Sequence, residues 1–314
     1  MKIKNPKKQA VALILFIFSY ASLTGITQAE ERSNFIQRFS IKISSGLSYL
    51  TVGDINTFLE SENQRHIDRA QYFNGLKKGE LKKVRFGFDS EIELTFDITS
   101  RLRIGLGSGF IYGGRESSSG FEVEESESFY VDFTYAPEID VSAIPLKLGV
   151  YYTFPFKSEM KLYINGGIGY YFARTYFYRK QKEVFIRDGS IIGDYRGIVD
   201  WDLSSKGIGF HGGVGFEYSF TKNFSLFTEV QGRYAQIKKL ERDNIYESSE
   251  YYGPHYCGTM YYFEEKRDIF IDKYYSSLGI SREKPDEPEY RNVREARLDL
   301  NGFCFKVGIK IRLF

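Results

Sequence analysis

The 314 residues carry 43 lysines and arginines against 41 aspartates and glutamates, with 30 glycines, 25 tyrosines, 28 phenylalanines and only 7 prolines. So even a charge balance removes compositional support for a nucleic-acid partner. No apolar run after Ala29 is long enough for a membrane-spanning helix.

The first element is an export signal. Lys2, Lys4, Lys7 and Lys8 form a basic start, Ala10 to Ala21 is a short apolar run, and Thr27-Gln28-Ala29 offers small residues at the cut. That order predicts a cleaved signal peptide over 1–29. No cysteine follows the cut, which argues against a lipoprotein anchor. Removing four lysines and no acid leaves 39 basic residues against 41 acidic ones, so the mature chain is slightly acidic. Residues 30–314 are enough for one large all-β domain.

Eight segments then alternate with period two. They run from Phe39 to Thr51, Arg85 to Asp97, Leu102 to Gly113, Ile139 to Phe154, Leu162 to Thr175, Ile208 to Phe220, Phe224 to Ile237 and Leu300 to Phe314. Each matches the roughly 9–11 tilted residues of a membrane strand plus a margin. Short turns join the second to the third, the fourth to the fifth and the sixth to the seventh strand. The other four connections are long, about 33, 25, 30 and 60 residues, with boundaries good to roughly 2–4 residues. An even strand count then puts all short turns and both termini on one side. That asymmetry predicts an all-β, eight-stranded antiparallel up-and-down transmembrane β-barrel with short periplasmic turns and four long extracellular loops.

The two faces of each segment differ. In the fifth, Leu162, Ile164, Ile168, Tyr170 and Phe172 oppose Tyr163, Asn165, Gly167, Gly169 and Tyr171. In a membrane barrel the polar face turns inward, and each buried charge there needs a partner. The expected interior network comprises Lys42, Arg85, Asp89, Glu91, Glu93, Arg103, Lys147, Glu217, Glu229, Arg233, Lys306, Lys310 and Arg312. Acids concentrate in the second, sixth and seventh strands and bases in the first, third, fourth and eighth. Closure of the first strand on the eighth would permit pairing across the barrel. A soluble lipocalin-like barrel would invert the faces. Loop asymmetry and the aromatics at strand ends (Tyr49, Tyr112, Tyr152, Phe154, Tyr218, Phe220) favour the membrane.

The chain end, FKVGIKIRLF, sets Val307, Ile309, Ile311 and Leu313 against Lys306, Lys310 and Arg312. Together with the signal segment, the eight alternating strands and the long loops, it resembles the small outer-membrane barrels of the OmpA, OmpX and OmpW kind. The stretches AIPLKLGVYYTFPF and LYINGGIGYYFART are similar to that group's fourth and fifth strands. The resemblance implies that Phe314 is the C-terminal assembly signal read by the barrel assembly machinery. Its parity is that of Arg312, so a bulge or a final turn out of register would have to turn it outward.

Sites of chemistry are few. Gly207-Ile208-Gly209-Phe210-His211-Gly212 has the GxGxxG spacing but a strand runs through it, which argues against a nucleotide cofactor. His66 and His255 fall in loops, and inward His211 with Glu217 and Ser219 is the weak alternative for a lipid-modifying site. The acidic run Glu122 to Ser128 matches no defined metal loop. Tyr251, Tyr252, Tyr256, Tyr261 and Tyr262 suggest a loop contact surface for an extracellular ligand. A disulfide between Cys257 and Cys304 would staple the last loop to the barrel top.

The expected function is therefore non-enzymatic: a barrel with a side-chain-filled polar interior, acting in membrane integrity or surface interaction. No cofactor, metal or nucleic acid is expected. Its partners would be outer-membrane lipid and lipopolysaccharide. The alternative is a narrow porin-like conduit for small or hydrophobic solutes. A lipid-modifying enzyme and a soluble lipocalin-like binder stand behind it.

Overall fold

Unbroken alternation of branched, aromatic and small residues makes strands. The computed structural model describes residues 36–126, 129–157, 159–242, 246–249, 258–266 and 271–313. The signal segment, Tyr251, Tyr252, Tyr256, Cys257, His255 and Phe314 lie outside the described residues.

β1 (Phe39–Tyr49) leads into helix α1 (Asp54–Tyr72) and the short β2 (Leu76–Glu80). β3 (Phe86–Asp97), β4 (Leu102–Glu116) and β5 (Ser118–Ser126) follow. Three long strands come next: β6 (Phe129–Pro155), β7 (Met160–Arg187) and β8 (Ser190–Ser219). After β9 (Phe224–Ile237) come β10 (Glu241–Arg242), β11 (Tyr246–Ser249), β12 (Gly258–Glu265), β13 (Tyr275–Ser281), β14 (Arg291–Glu295) and β15 (Leu298–Asp299). The last strand is β16 (Gly302–Arg312).

Eight of these strands pair in a circuit. β1 pairs with β3, β3 with β4, β4 with β6, β6 with β7, β7 with β8, β8 with β9, β9 with β16, and β16 with β1. Every pairing is antiparallel, and because the circuit returns to its start the paired stretch has no free edge. Residues 98–101 and 220–223 make short links at one end, where β6 also passes to β7.

At the other end the strands continue where loops were expected. β7 has 28 residues, and at about 3.3 Å per residue it is about 90 Å long, three times a hydrocarbon core of about 30 Å. β7 and β8 are joined by Asp188 and Gly189 alone, with φ of 50° and 74°. That is the turn in which both central residues take positive φ, for which Asp-Gly is a favoured pair. The long loop expected between Thr175 and Ile208 is thus corrected to a hairpin.

Each long strand keeps its parity while the chemistry of its faces swaps. On β7 the exposed residues are Leu162, Ile164, Ile168 and Phe172, followed by Arg174. The opposite face runs Tyr163, Asn165, Gly167 and Gly169, then Tyr171, Ala173, Thr175 and Phe177. β6 repeats the change: exposed Leu148, Leu146 and Ile144 give way to Ser142 and Asp140, while inward Lys147 gives way to Ala143, Val141 and Ile139. The barrel therefore holds two stacked interiors, a polar one near the short turns and an apolar one beyond the outer apolar band.

Helix α1 fills the apolar interior, a departure from the purely β expectation. Val52 and Gly53 have φ of 54° and 57°, which turn the chain sharply out of β1. A side chain at Gly53 would be strained and would meet the Arg297 carbonyl at 2.6 Å. Ile55, Phe58 and Leu59 are buried, and Phe58 meets the Phe177 ring, itself stacked on Trp201 at 5.1 Å. Asn74, at φ 51°, ends the helix. The last long connection is also folded: β12 lies between β13 and β14 and pairs with β10. α1, β2, β5 and β10 to β15 form an annex on the long ends of the strands.

Candidate functional site

Inward parity brings most of the sequence-designated charges into the polar interior. Lys42 lies 3.4 Å from Glu93 and 3.5 Å from Glu229, and its ammonium sits 4.5 Å from the ring centres of Tyr151 and Phe227. The Tyr151 hydroxyl donates to both Glu93 oxygens, and that of Tyr163 to Glu229 at 2.8 Å. Lys147 donates to Glu91 at 2.8 Å and to Gln231 at 3.1 Å. Lys306 holds Asp89 at 3.1 Å and also Glu91. Arg233 completes this layer on Asp89, Ser48 and the Leu300 carbonyl.

A second layer lies near the short turns. Lys310 donates to Glu217 at 3.0 Å, and Arg103 bridges Asp97 at 2.7 Å and Glu217 at 3.6 Å. Arg312 reaches Asp97 at 3.4 Å from the half-exposed mouth. Asp97, Tyr151, Tyr163 and Gln231 belong to the network but not to the sequence-designated set. Each has inward parity on its strand, and parity was the signal that could have found them.

Two designations need correction. Arg85 precedes β3 and is exposed, because the strand begins one residue later. Tyr261 and Tyr262 are 9% and 7% exposed, not on a contact surface. They lie on β12, the central strand of the annex, with the Tyr262 hydroxyl 2.8 Å from Ser276 and its ring under the Arg294 guanidinium. Cys304 is buried and its thiol points to the Gln231 carbonyl at 3.6 Å; Cys257 is outside the described residues.

The weak catalytic alternative is not assembled. Glu217 is held by Lys310, and Ser219 by Ser225 at 3.0 Å. Nδ1 of His211 has no hydrogen-bond partner among the described residues. Gly207 to Gly212 lie wholly inside β8, with no helix start beside them. In the acidic run, Glu122 is bound to Lys78. His66 lies on α1 with its Nδ1 3.0 Å from the Ser119 hydroxyl and the ring buried against Phe121 and Phe133. Burial, and then Arg65, Arg69 and Lys77, push its pKa down to about 3.

The centre of the upper charge layer is tightly filled. About 10 Å³ remains between Lys42, Glu91, Tyr151 and Lys306, room for one water at most. A recess of about 380 Å³ at the short-turn end is lined in part by Glu217 and Lys310.

A closed antiparallel circuit with ion pairs inside and an apolar band outside is the arrangement of an outer-membrane barrel. A family model described as outer membrane protein beta-barrel domain matches residues 70–252, more than half of the chain. The chain belongs to that family. Among solved structures, the crystal structure of Neisserial surface protein A is similar at 13% identity and a TM-score of 0.32, covering 87% of this chain and 96% of that one. No curated protein matches the chain.

Proposed function

We propose that this protein is a sealed, non-enzymatic outer-membrane anchor that presents the annex at the cell surface and acts there by surface interaction. In this reading eight strands cross the outer membrane after cleavage of the signal peptide. The three short turns and both chain ends face the periplasm, and the annex is extracellular. Exposed Ile144, Leu146, Leu148, Ile164, Ile168 and Phe210 would meet lipid.

One observation carries the reading. The interior charges are paired around a void of about 10 Å³, while the strands continue beyond the apolar band to build a second core around α1. A conduit would need a continuous wet path, and a filled eight-stranded interior has none.

The first test is electrophoretic. The protein in detergent should migrate differently before and after boiling, and external protease should cut only annex residues on intact cells. Recovery in the soluble fraction without a shift would favour the inverted, lipocalin-like arrangement. Planar bilayers holding the purified protein should show no stepwise conductance; regular steps would favour the narrow conduit. Turnover of a lipid that is lost on His211→Ala would favour the enzyme.

A further inference from the structure

Strands β8 and β9 separate just beyond the apolar band. Their pairing ends at Gly209 and Ala235, and β8 next meets a strand on that side where Ser204 faces Glu241. A cleft of about 1060 Å³ opens at this seam, lined in part by Phe172, Lys206, Lys238 and Lys239. All three lysines are exposed. Lys239, at φ 55°, turns the chain between β9 and β10. None of the three has an ion-pair partner among the described residues. Arg174, on the same outer face, is engaged by Asp202 at 2.6 Å.

The level of the lysines matters as much as their charge. Lys206 faces Phe172 in register, and Ile208 and Phe210, the next outward residues of β8, are 66% and 59% exposed in the band. The cleft thus places cations directly over an apolar wall. Glu241 and Glu295 line the annex side, and Glu241 accepts a hydrogen bond from the Thr259 hydroxyl at 3.2 Å. A purely hydrophobic ligand would leave the lysines unmatched, and a free anion would leave the apolar wall unused.

We propose that this seam binds the phosphorylated head group of an outer-leaflet lipid, with phosphate on Lys206, Lys238 and Lys239 and acyl chains along Ile208 and Phe210. The inference rests on the membrane orientation proposed above. Cations at a charged membrane surface each contribute about 1 kcal/mol, about fivefold in affinity, so removing three should weaken binding about a hundredfold.

The experiment uses the full chain folded in nonionic detergent, with bisphosphorylated lipid A, monophosphorylated lipid A and inorganic phosphate as separate probes. Native mass spectrometry reads the bound lipid. The wild type should hold the bisphosphorylated lipid most tightly, and the K206Q/K238Q/K239Q variant should lose it about a hundredfold while keeping the boiling-dependent mobility shift. Equal retention by variant and wild type overturns the proposal. So does displacement by inorganic phosphate at equal concentration, which would mark a free-anion site. Absence of the mobility shift in the wild type would instead overturn the membrane reading beneath it.

Discussion

Lys306 on the last strand and Asp89 on β3 meet at 3.1 Å, each with a side chain 1% exposed, although β1 lies between their strands. The register explains the reach. Gly46 of β1 is directly opposite Lys306 on one side and Asp89 on the other. With no side chain at the intervening position, cation and carboxylate close above the backbone of β1, across the seam that joins the two ends of the chain.

Gly46→Ala tests that relationship. The added Cβ would lie 2.7 Å from the Phe305 carbonyl carbon and 2.8 Å from the Lys306 Cα, backbone atoms that cannot rotate away. Overpacking of this kind costs about 1–3 kcal/mol, here at the closing pair of strands. Refolding yield, read as the fraction of unboiled protein in the fast-migrating band, should fall. Unchanged yield would show that the seam has slack.

Lys306→Met leaves Asp89 with Arg233 and Glu91 with Lys147, each carboxylate short of one cation. Removing one partner from a buried ionic network costs about 3–5 kcal/mol. The urea midpoint of the folded band should drop markedly, and Glu91→Gln in the same chain should restore part of the loss. Additive losses in the double variant would argue that the two groups do not interact.

Within the annex, one carboxylate bolts the start of α1 to β14 and the segment after it. Asp54 receives both terminal nitrogens of Arg294 and the backbone N–H of Arg297 at 2.7 Å. Asp54→Ala leaves the Arg297 N–H without its acceptor and strips Arg294 of its carboxylate, leaving that side chain the Glu295 carbonyl at 3.3 Å, at about 1–3 kcal/mol for a buried donor left unsatisfied. The annex should become several-fold more sensitive to protease while the boiling-dependent shift persists, since the barrel circuit is untouched. Loss of both together would mean that annex and barrel fold as one unit.

His66 sets an acid limit on the annex. Its pKa falls from an ordinary 6.5 to about 3 because burial, then Arg65, Arg69 and Lys77, oppose the charged ring. The unfolded segment binds a proton below about pH 6.5 and the folded one does not until about pH 3. Stability is therefore whole above pH 6.5 and declines as pH falls through this window, by up to about 1.4 kcal/mol per unit. Protease sensitivity of the annex should rise between pH 6 and pH 4 in the wild type and rise less in His66→Gln. Identical profiles would place the acid-sensitive group elsewhere.

Much of the strand layout was legible because period-two alternation is local. β9 begins at Phe224 and ends at Ile237, the limits that alternation alone draws. The Asp-Gly hairpin signal at 188–189 was present but hidden, since Arg174, Lys180 and Lys182 interrupt the outward apolar face of β7 and it stops resembling a membrane strand. α1 was obscured differently. Its buried face carries Glu62, Arg65 and His66 among Ile55, Phe58, Leu59 and Ala70, so the apolar stripe is broken.

By itself, then, the sequence determined the membrane-level stretches of the eight circuit strands and which of their residues share a face, because side chains alternate along an extended backbone whatever surrounds them. It also placed nearly all the interior charges on one parity. Only the tertiary structure decided which charge meets which, because Lys306 and Asp89 are brought together by closure of the circuit. It likewise decided that Tyr261 and Tyr262 are interior and Lys206, Lys238 and Lys239 exposed, since burial depends on what other segments pack above a strand.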